Sequence, residues 1–288
     1  MGSSTTTARR AGQPVLRPGL QVFRRDDTHL QVGIDDPRVV LPDTEGVRRL
    51  LRDLDAGQGL ESLTPEAGLA FGRLLDAGLV VERADVVAAA RDERRWAATA
   101  AFAAHGPTAP ARLASRATCR VALVAPEPWQ STAADLLAVA GLSVAVEEAP
   151  PTVTLVVSCG EPVRSNLDRL IRGDRAHLLV ALLPHGARIG PFVAPGVTAC
   201  LRCLDAHLAE ADPRRGLVIE QLEEHASRPV PSDPVLAPAA LALAVRELTT
   251  YAEGDRPATW SSTVDLTSEL AFPRRSWPRH PHCGCSWG

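Results

Sequence analysis

The residues best suited to chemistry are two close cysteine pairs, Cys200-x-x-Cys203 in TACLRCLD and Cys283-Gly284-Cys285 in HPHCGC, about eighty residues apart. Thiols three positions apart on a helix share a face, one turn from each other. The start of a helix favours anions, which lowers a thiol pKa and helps ligation. Gly284 is expected to let the backbone curl so that both neighbouring sulfurs aim at one centre. Four thiolates in two pairs match a closed, tetrahedral structural zinc site. A redox dithiol or a catalytic zinc is the alternative, but a catalytic zinc keeps a position open and four cysteines leave none. His207, His280 and His282 lie close by in sequence and are read as surface or supporting histidines, because the thiolates complete the ligand set. Cys119 and Cys159 fall in the apolar runs CRVALVA and TLVVSCG and are read as buried thiols. The last residues have little core of their own, so a metal clip would fasten them back to the helix of Cys200.

Other chemistry is excluded by what is missing. All 31 basic residues are arginine, so the chain offers no phosphate-loop lysine and no Schiff-base lysine. A nucleotide site would show a glycine-rich turn after its first strand, but the strand here runs on as VALVAPEPWQS, with two prolines and no glycine. Prolines remove the amide donors that would cradle a phosphate. Asp135, Asp168 and the run EQLEE (220–224) read as solvated helical faces rather than acid/base pairs. The net charge of −3 gives no general attraction to nucleic acid. No apolar run reaches transmembrane length, and the polar start MGSSTTTARR lacks the core of a signal peptide. The expectation is a cytoplasmic protein with a disordered tail over residues 1–14 and neither a membrane nor a nucleic-acid partner.

The elements that must position the cysteines follow from periodicity. Residues 15–83 read as a small α+β unit: strands at LQVFR, HLQVGI and RVVLP, then a helix opened by Asp43-Thr44 with Val47, Leu50, Leu51 and Leu54 at helical spacing. Gly57 and Gly59 stop it, and Thr64-Pro65-Glu66 opens a second helix carrying Leu69, Phe71, Leu74 and Leu75. Three strands, two or three helices and a closing LVVE have the pattern of a winged helix-turn-helix. Residues 84–116 read as an Ala-rich helical connector followed by a Pro/Ala/Ser-rich linker from 106. Residues 117–196 alternate strand and helix, which predicts a parallel or mostly parallel sheet in a Rossmann-like α/β domain spanning 117–288. GARIGPFVAPG is expected as a short β excursion before the cysteine helix. Residues 234–253 form a long apolar helix, and ATWSSTVDL with ELAFPRRSW a hairpin.

Four stretches carry a family resemblance: PGVTACLRCLDAH, ADP (211–213), Gln221-Leu222 and the closing PHCGC. Together they resemble the E1-like, ThiF-type partner proteins of YcaO cyclodehydratases, which act in the biosynthesis of thiazole/oxazole-modified peptides. RPGLQVFR through LPDTEG resembles the peptide-recognition element of that family. The resemblance implies a non-catalytic scaffold with a degenerate ThiF-type domain and a four-cysteine structural zinc. Its winged helix would bind the leader of a ribosomally made precursor as an added strand, and the YcaO enzyme would be its partner, with a homodimer also implied. Strand addition needs an open edge and a side-chain groove. Arg38, Val39, Val40 and Leu41 of the RVVL strand, with Leu69, Arg73 and Leu74 of the second helix, are the residues expected to supply both. Any single apolar one of these is read first as a core position, since helical spacing indicates burial. The arginines suit an acidic leader.

Two other functions fit less well. A metal-responsive winged-helix regulator of DNA needs a basic face, but residues 15–95 hold 12 arginines against 15 acidic residues. An adenylating E1-like enzyme needs a glycine-rich turn for ATP and acidic ligands for its magnesium.

Overall fold

The computed structural model describes residues 12–60, 62–90, 95–146, 150–225 and 230–286. The chain divides into two compact units, Met1–Ala114 and Ser115–Gly288.

The first unit opens with β1 (Pro14–Leu16), so Pro14 belongs to a strand and not to the expected tail; residues 1–11 lie outside the described set. Next come β2 (Val22–Arg24), β3 (His29–Val32) and β4 (Val39–Pro42), a three-stranded antiparallel sheet in that order. α1 (Glu45–Ala56) begins where the Thr44 hydroxyl accepts the Val47 amide at 3.4 Å and ends at Gly57, whose φ of 61° suits a residue without a side chain. α2 (Pro65–Asp76) is capped the same way by Thr64, with Pro65 in the first turn, where its missing N–H costs nothing. β5 (Val80–Glu82) returns to pair antiparallel with β1. Val32, Leu41, Val47, Leu50, Leu54, Leu74 and Leu79 form the core between sheet and helices. Each such burial stabilises by about 1.5–3 kcal/mol. α3 (Arg83–Ala90) and α4 (Arg95–His105) follow; most of the charged run at 91–95 lies outside the described residues. The expected linker from 106 is helical instead, a 3-10 turn (Gly106–Thr108) leading into α5 (Ala109–Thr118). Its prolines, 107 and 110, stand in first turns, so they start helices there rather than break them.

The second unit is a seven-stranded sheet between helices. Its elements are β6 (Arg120–Val124), α6 (Trp129–Val139), β7 (Ser143–Val144), β8 (Val153–Cys159), α7 (Arg164–Arg172), β9 (His177–Leu183), β10 (Gly186–Val193), α8 (Leu201–Ala211), α9 (Arg215–Glu220), α10 (Leu222–His225), α11 (Leu236–Ala252), β11 (Ser262–Thr267) and β12 (Arg274–Ser276). The strand order is β12-β11-β10-β9-β8-β6-β7. β7, β6, β8 and β9 are parallel, while β10, β11 and β12 are antiparallel, so the sheet is mixed and not mostly parallel. The reason is the connection after β9. Only Pro184 and His185 separate it from β10, too few for a crossover helix, so the chain must turn back as a hairpin. The expected excursion is thus an eight-residue, largely buried strand. Strand alternation splits the core in two. Leu155, Val157, Leu178 and Val180 face α6 and α11. Val156 and Leu179 face the other way, toward Leu167 of α7 and Leu201 and Leu204 of α8. That second layer positions the cysteine helix. Among the described residues no helix is long and apolar enough to cross a membrane.

Candidate functional site

Cys200 is the N-cap of α8, with extended backbone and no capping bond from its side chain, so its sulfur is free to turn into the cluster. The loop before it is pinned: the Thr198 hydroxyl accepts the Ala194 amide at 2.8 Å, and the Ser261 hydroxyl accepts the Ala199 amide at 3.0 Å. Cys203 lies within the first turn of α8. The second pair arrives on a turn in which Cys283 donates its amide to His280 O at 3.0 Å and Arg279 donates to Cys285 O at 3.0 Å. Gly284 does not act as expected. Its φ is not positive and an added Cβ would meet nothing, so the turn does not require glycine.

The four sulfurs lie together. Cys200–Cys203, Cys200–Cys283 and Cys203–Cys285 are 3.8, 3.6 and 3.3 Å apart, and all four atoms fall within 4.8 Å of one another. No pair is bonded as a disulfide. A tetrahedral ion with metal–sulfur bonds of about 2.3 Å spaces its ligands roughly 3.8 Å apart, so the cluster can hold a metal ion. Three of the four cysteines are buried, and Cys285 is half-buried. Without an ion the thiols titrate unequally. Hydrogen bonding from Cys200, helped by the backbone of His280 and Cys200, pulls Cys203 down to about 4. Its hydrogen bond with Cys203, together with burial, raises Cys200, and burial raises Cys283 to about 11. One thiolate forms at the expense of its neighbours, and a divalent cation would relieve that competition. Of the other two cysteines, Cys119 is buried, with its thiol raised by that burial, and Cys159 is half-buried at the end of β8.

α8 is held to α7 by charge. Arg164 grips Asp205 with two bonds of 2.8 and 2.9 Å, and Arg202 grips Asp168 at 3.0 and 2.9 Å. The first pair belongs to a longer alternating chain: Asp265, Arg188, Glu161, Arg164, Asp205, Arg215. Sequence reasoning did not find this chain, because its six members come from six separate elements or loops.

In the first unit, β4 is an edge strand. The Asp43 amide donates to Thr28 O, opposite it in register, at 2.8 Å. Antiparallel pairing alternates bonded and unbonded pairs, so Val39 and Leu41 bond to β3 while the N–H and C=O of Val40 point to the open edge. Val40 is half-buried; Val39, Leu41 and Leu74 are buried in the core, which removes these three side chains from the expected groove. α2 packs against β4 and turns Leu69 outward, 74% exposed, with Arg73 one turn on. Arg38 is exposed and 3.6 Å from Asp36. A cavity of about 530 Å³, unanticipated from sequence, lies at the opposite edge of the sheet between Val22 of β2 and Arg48, Leu51 and Arg52 of α1.

Neither a family model nor a curated protein matches this sequence. Solved structures share its fold. The heterocyclase TruD superposes with a TM-score of 0.73 at 17% identity, over 96% of this chain and 43% of that one. A heterocyclase in complex with substrate and cofactor gives 0.70 at 15% identity, over 96% and 40%. E. coli MccB with MccA gives 0.66 at 11% identity, over 96% and 99%. The chain spans less than half the length of the two heterocyclases and nearly all of MccB.

Proposed function

We propose that the chain is a non-catalytic peptide-binding scaffold of modified-peptide biosynthesis. Its first unit, a winged-helix recognition element, captures the leader of a ribosomally made precursor. Its second unit, a degenerate ThiF-type domain, brings that precursor to a YcaO-type cyclodehydratase. The observation that carries this reading is the open edge of β4, with an exposed leucine and arginine on α2, the helix that packs against that strand. An exposed edge with unspent donors and an apolar side chain at hand is the arrangement strand addition uses. The comparisons add support: the fold is shared with a heterocyclase bound to substrate and with MccB bound to MccA. Cys200, Cys203, Cys283 and Cys285 would hold a structural zinc, which supplies a cross-link and no reactivity, since four thiolates close its coordination. Delivery then works through effective concentration, because a tethered core peptide meets the enzyme at a high local level.

The test is affinity capture of the tagged protein from its native extract, with mass spectrometry of retained peptides. A short precursor should be retained by the wild type, lost with Val40→Pro and kept with Val22→Pro. Each substitution removes one outward amide from an edge strand without breaking the internal ladder. Loss with Val22→Pro alone would move the peptide to the β2 edge. Measurable Mg-ATP affinity with no retained peptide would replace the scaffold by an adenylating enzyme, a function suggested by the structure of MccB with ATP.

A further inference from the structure

Beyond the cysteines, one more cluster of metal-ligating side chains exists among the described residues: His207, Glu210 and His280, whose donor atoms lie within 4.8 Å of one another. We propose that these three form a second divalent transition-metal site, chemically distinct from the thiolate cluster and open on one side.

His207 and Glu210 stand three apart on α8 and so share a face, one turn beyond Cys203. His280 is supplied by the segment leading into Cys283, whose amide donates to His280 O at 3.0 Å. The thiolate cluster therefore brings the third ligand to the first two. The His207 ring is set for ligation. Its Nε2 lies 3.0 Å from Pro278 O, which can only accept, so Nε2 carries the hydrogen and, in the neutral ring, Nδ1 offers its lone pair. A ring nitrogen that donates to a backbone carbonyl while the other faces an ion is the usual support for a metal-bound histidine. That Nδ1 is 3.9 Å from Glu210 Oε1. Two acceptors facing each other at this separation are unfavourable unless a cation or a proton lies between them. Glu210 Oε1 is also 3.2 Å from His280 Nε2.

The spacing suits an ion. Nitrogen and oxygen donors sit about 2.1 Å from zinc-like ions, which puts neighbouring donors roughly 3.0 to 3.4 Å apart. The His280–Glu210 separation already falls in that window. The His207–Glu210 pair must close by about half an ångström, and Glu210, with its side chain 66% exposed, is free to move that far. His280 needs one adjustment. Its Nδ1 now accepts the His282 amide at 3.2 Å, so loading requires the other neutral tautomer and releases that bond at an exposed turn. Two imidazoles and one carboxylate favour zinc, cobalt or nickel over magnesium or calcium. Three protein ligands leave a coordination position for water or an external donor, so this ion exchanges with solvent while the buried thiolate ion does not.

The test uses the purified protein, dialysed to equilibrium against a fixed free concentration of Co²⁺ and analysed for bound metal per chain above the dialysate. The visible spectrum separates the sites, because only the cysteine cluster gives a thiolate-to-cobalt charge-transfer band. The expected result is two ions per wild-type chain, and one per chain for His207→Ala and for Glu210→Gln with the thiolate band unchanged. Both positions keep some solvent exposure, so these variants should fold, and an unchanged melting temperature checks it. His280→Gln, at a buried position, is a third variant read only if it melts normally. A wild type that holds one ion, or a His207→Ala protein that keeps the second, would overturn the proposal.

Discussion

Opening the cysteine clip should destabilise the second unit by an amount that the chain length sets. Cys200 and Cys283 are 83 positions apart, and a metal bridging them closes a loop of that size. Treated as a cross-link, closing such a loop removes unfolded-state entropy worth about 4.5 kcal/mol. For a unit of 150–250 residues each kcal/mol moves the melting temperature by about 2–4 °C, so loss of the clip should lower it by roughly 9–18 °C. The perturbation is applied in two independent ways: chelation of the wild type, and Cys283→Ser, which removes one thiolate from a position 5% exposed. Calorimetry should show the transition of Ser115–Gly288 falling in both cases and that of Met1–Ala114 staying in place. Chelator should lower the variant no further once His207→Ala has also removed the second cluster. A melting temperature that moves by less than a degree or two on chelation would mean that no ion bridges the pairs. Equal falls in both transitions would mean that the effect is not loop closure.

Three further outcomes follow from side chains described above or packed beside them. Leu69→Ala should leave the melting temperature unchanged, since the residue is 74% exposed, and weaken capture of a leader peptide about tenfold by removing roughly 1.5 kcal/mol of burial gained on binding; isothermal titration reads it. Arg116→Met strips the guanidinium from the Glu253 carboxylate, whose side chain is 1% exposed, and should cost about 3–5 kcal/mol in denaturant unfolding, much of it restored when Glu253→Gln is added. Burial lowers the His177 pKa below its ordinary value of 6.5, so the unfolded chain takes up this proton first and stability falls as pH drops through the mid-sixes; His177→Gln should flatten that part of the stability–pH curve and leave the part above pH 7.5 unchanged.

What the sequence made legible was local. Caps and stops such as Thr44, Gly57 and Thr64 define helices through bonds to neighbours a few residues away, and all three act as expected. The cysteine pairs were legible because their types and short spacings already restrict the chemistry, and the fold brings their sulfurs together. Direction in the sheet was less legible. The two-residue connection of Pro184 and His185 was the available signal for the antiparallel β10, and the apolar run on either side of it masked the turn. Gly284 was assigned a role from its type alone, which its backbone does not use. Val39, Leu41 and Leu74 were placed in a groove along with their neighbours, although strand alternation and helical phase bury all three.

The alternating charges of the second unit bear on whether this fold has cations to offer a nucleotide. In open α/β sheets ligands gather at the carboxyl ends of the parallel strands. Glu161 stands just past the end of β8, and Arg188 of β10 pairs in register with Ala181 near the end of β9. Here Arg164, Arg188 and Arg215 each spend bonds on Glu161, Asp205 or Asp265. An arginine held by two carboxylates has less to offer a phosphate, and breaking such a half-buried pair to receive one would leave a carboxylate uncompensated. After β6 the two prolines withhold amides from the same end of the sheet. Arg164, Arg188 and Arg215 are thus spent on the ion pairs that tie α8 to the sheet and to its neighbours. That use fits a domain whose task is to hold a shape for a partner, and Asp205→Asn separates the two readings. Loosened packing of α8, seen as faster amide exchange from 201 to 211, is expected with no gain in nucleotide affinity. Tight Mg-ATP binding released by that one change would show a nucleotide site masked by its own ion pairs.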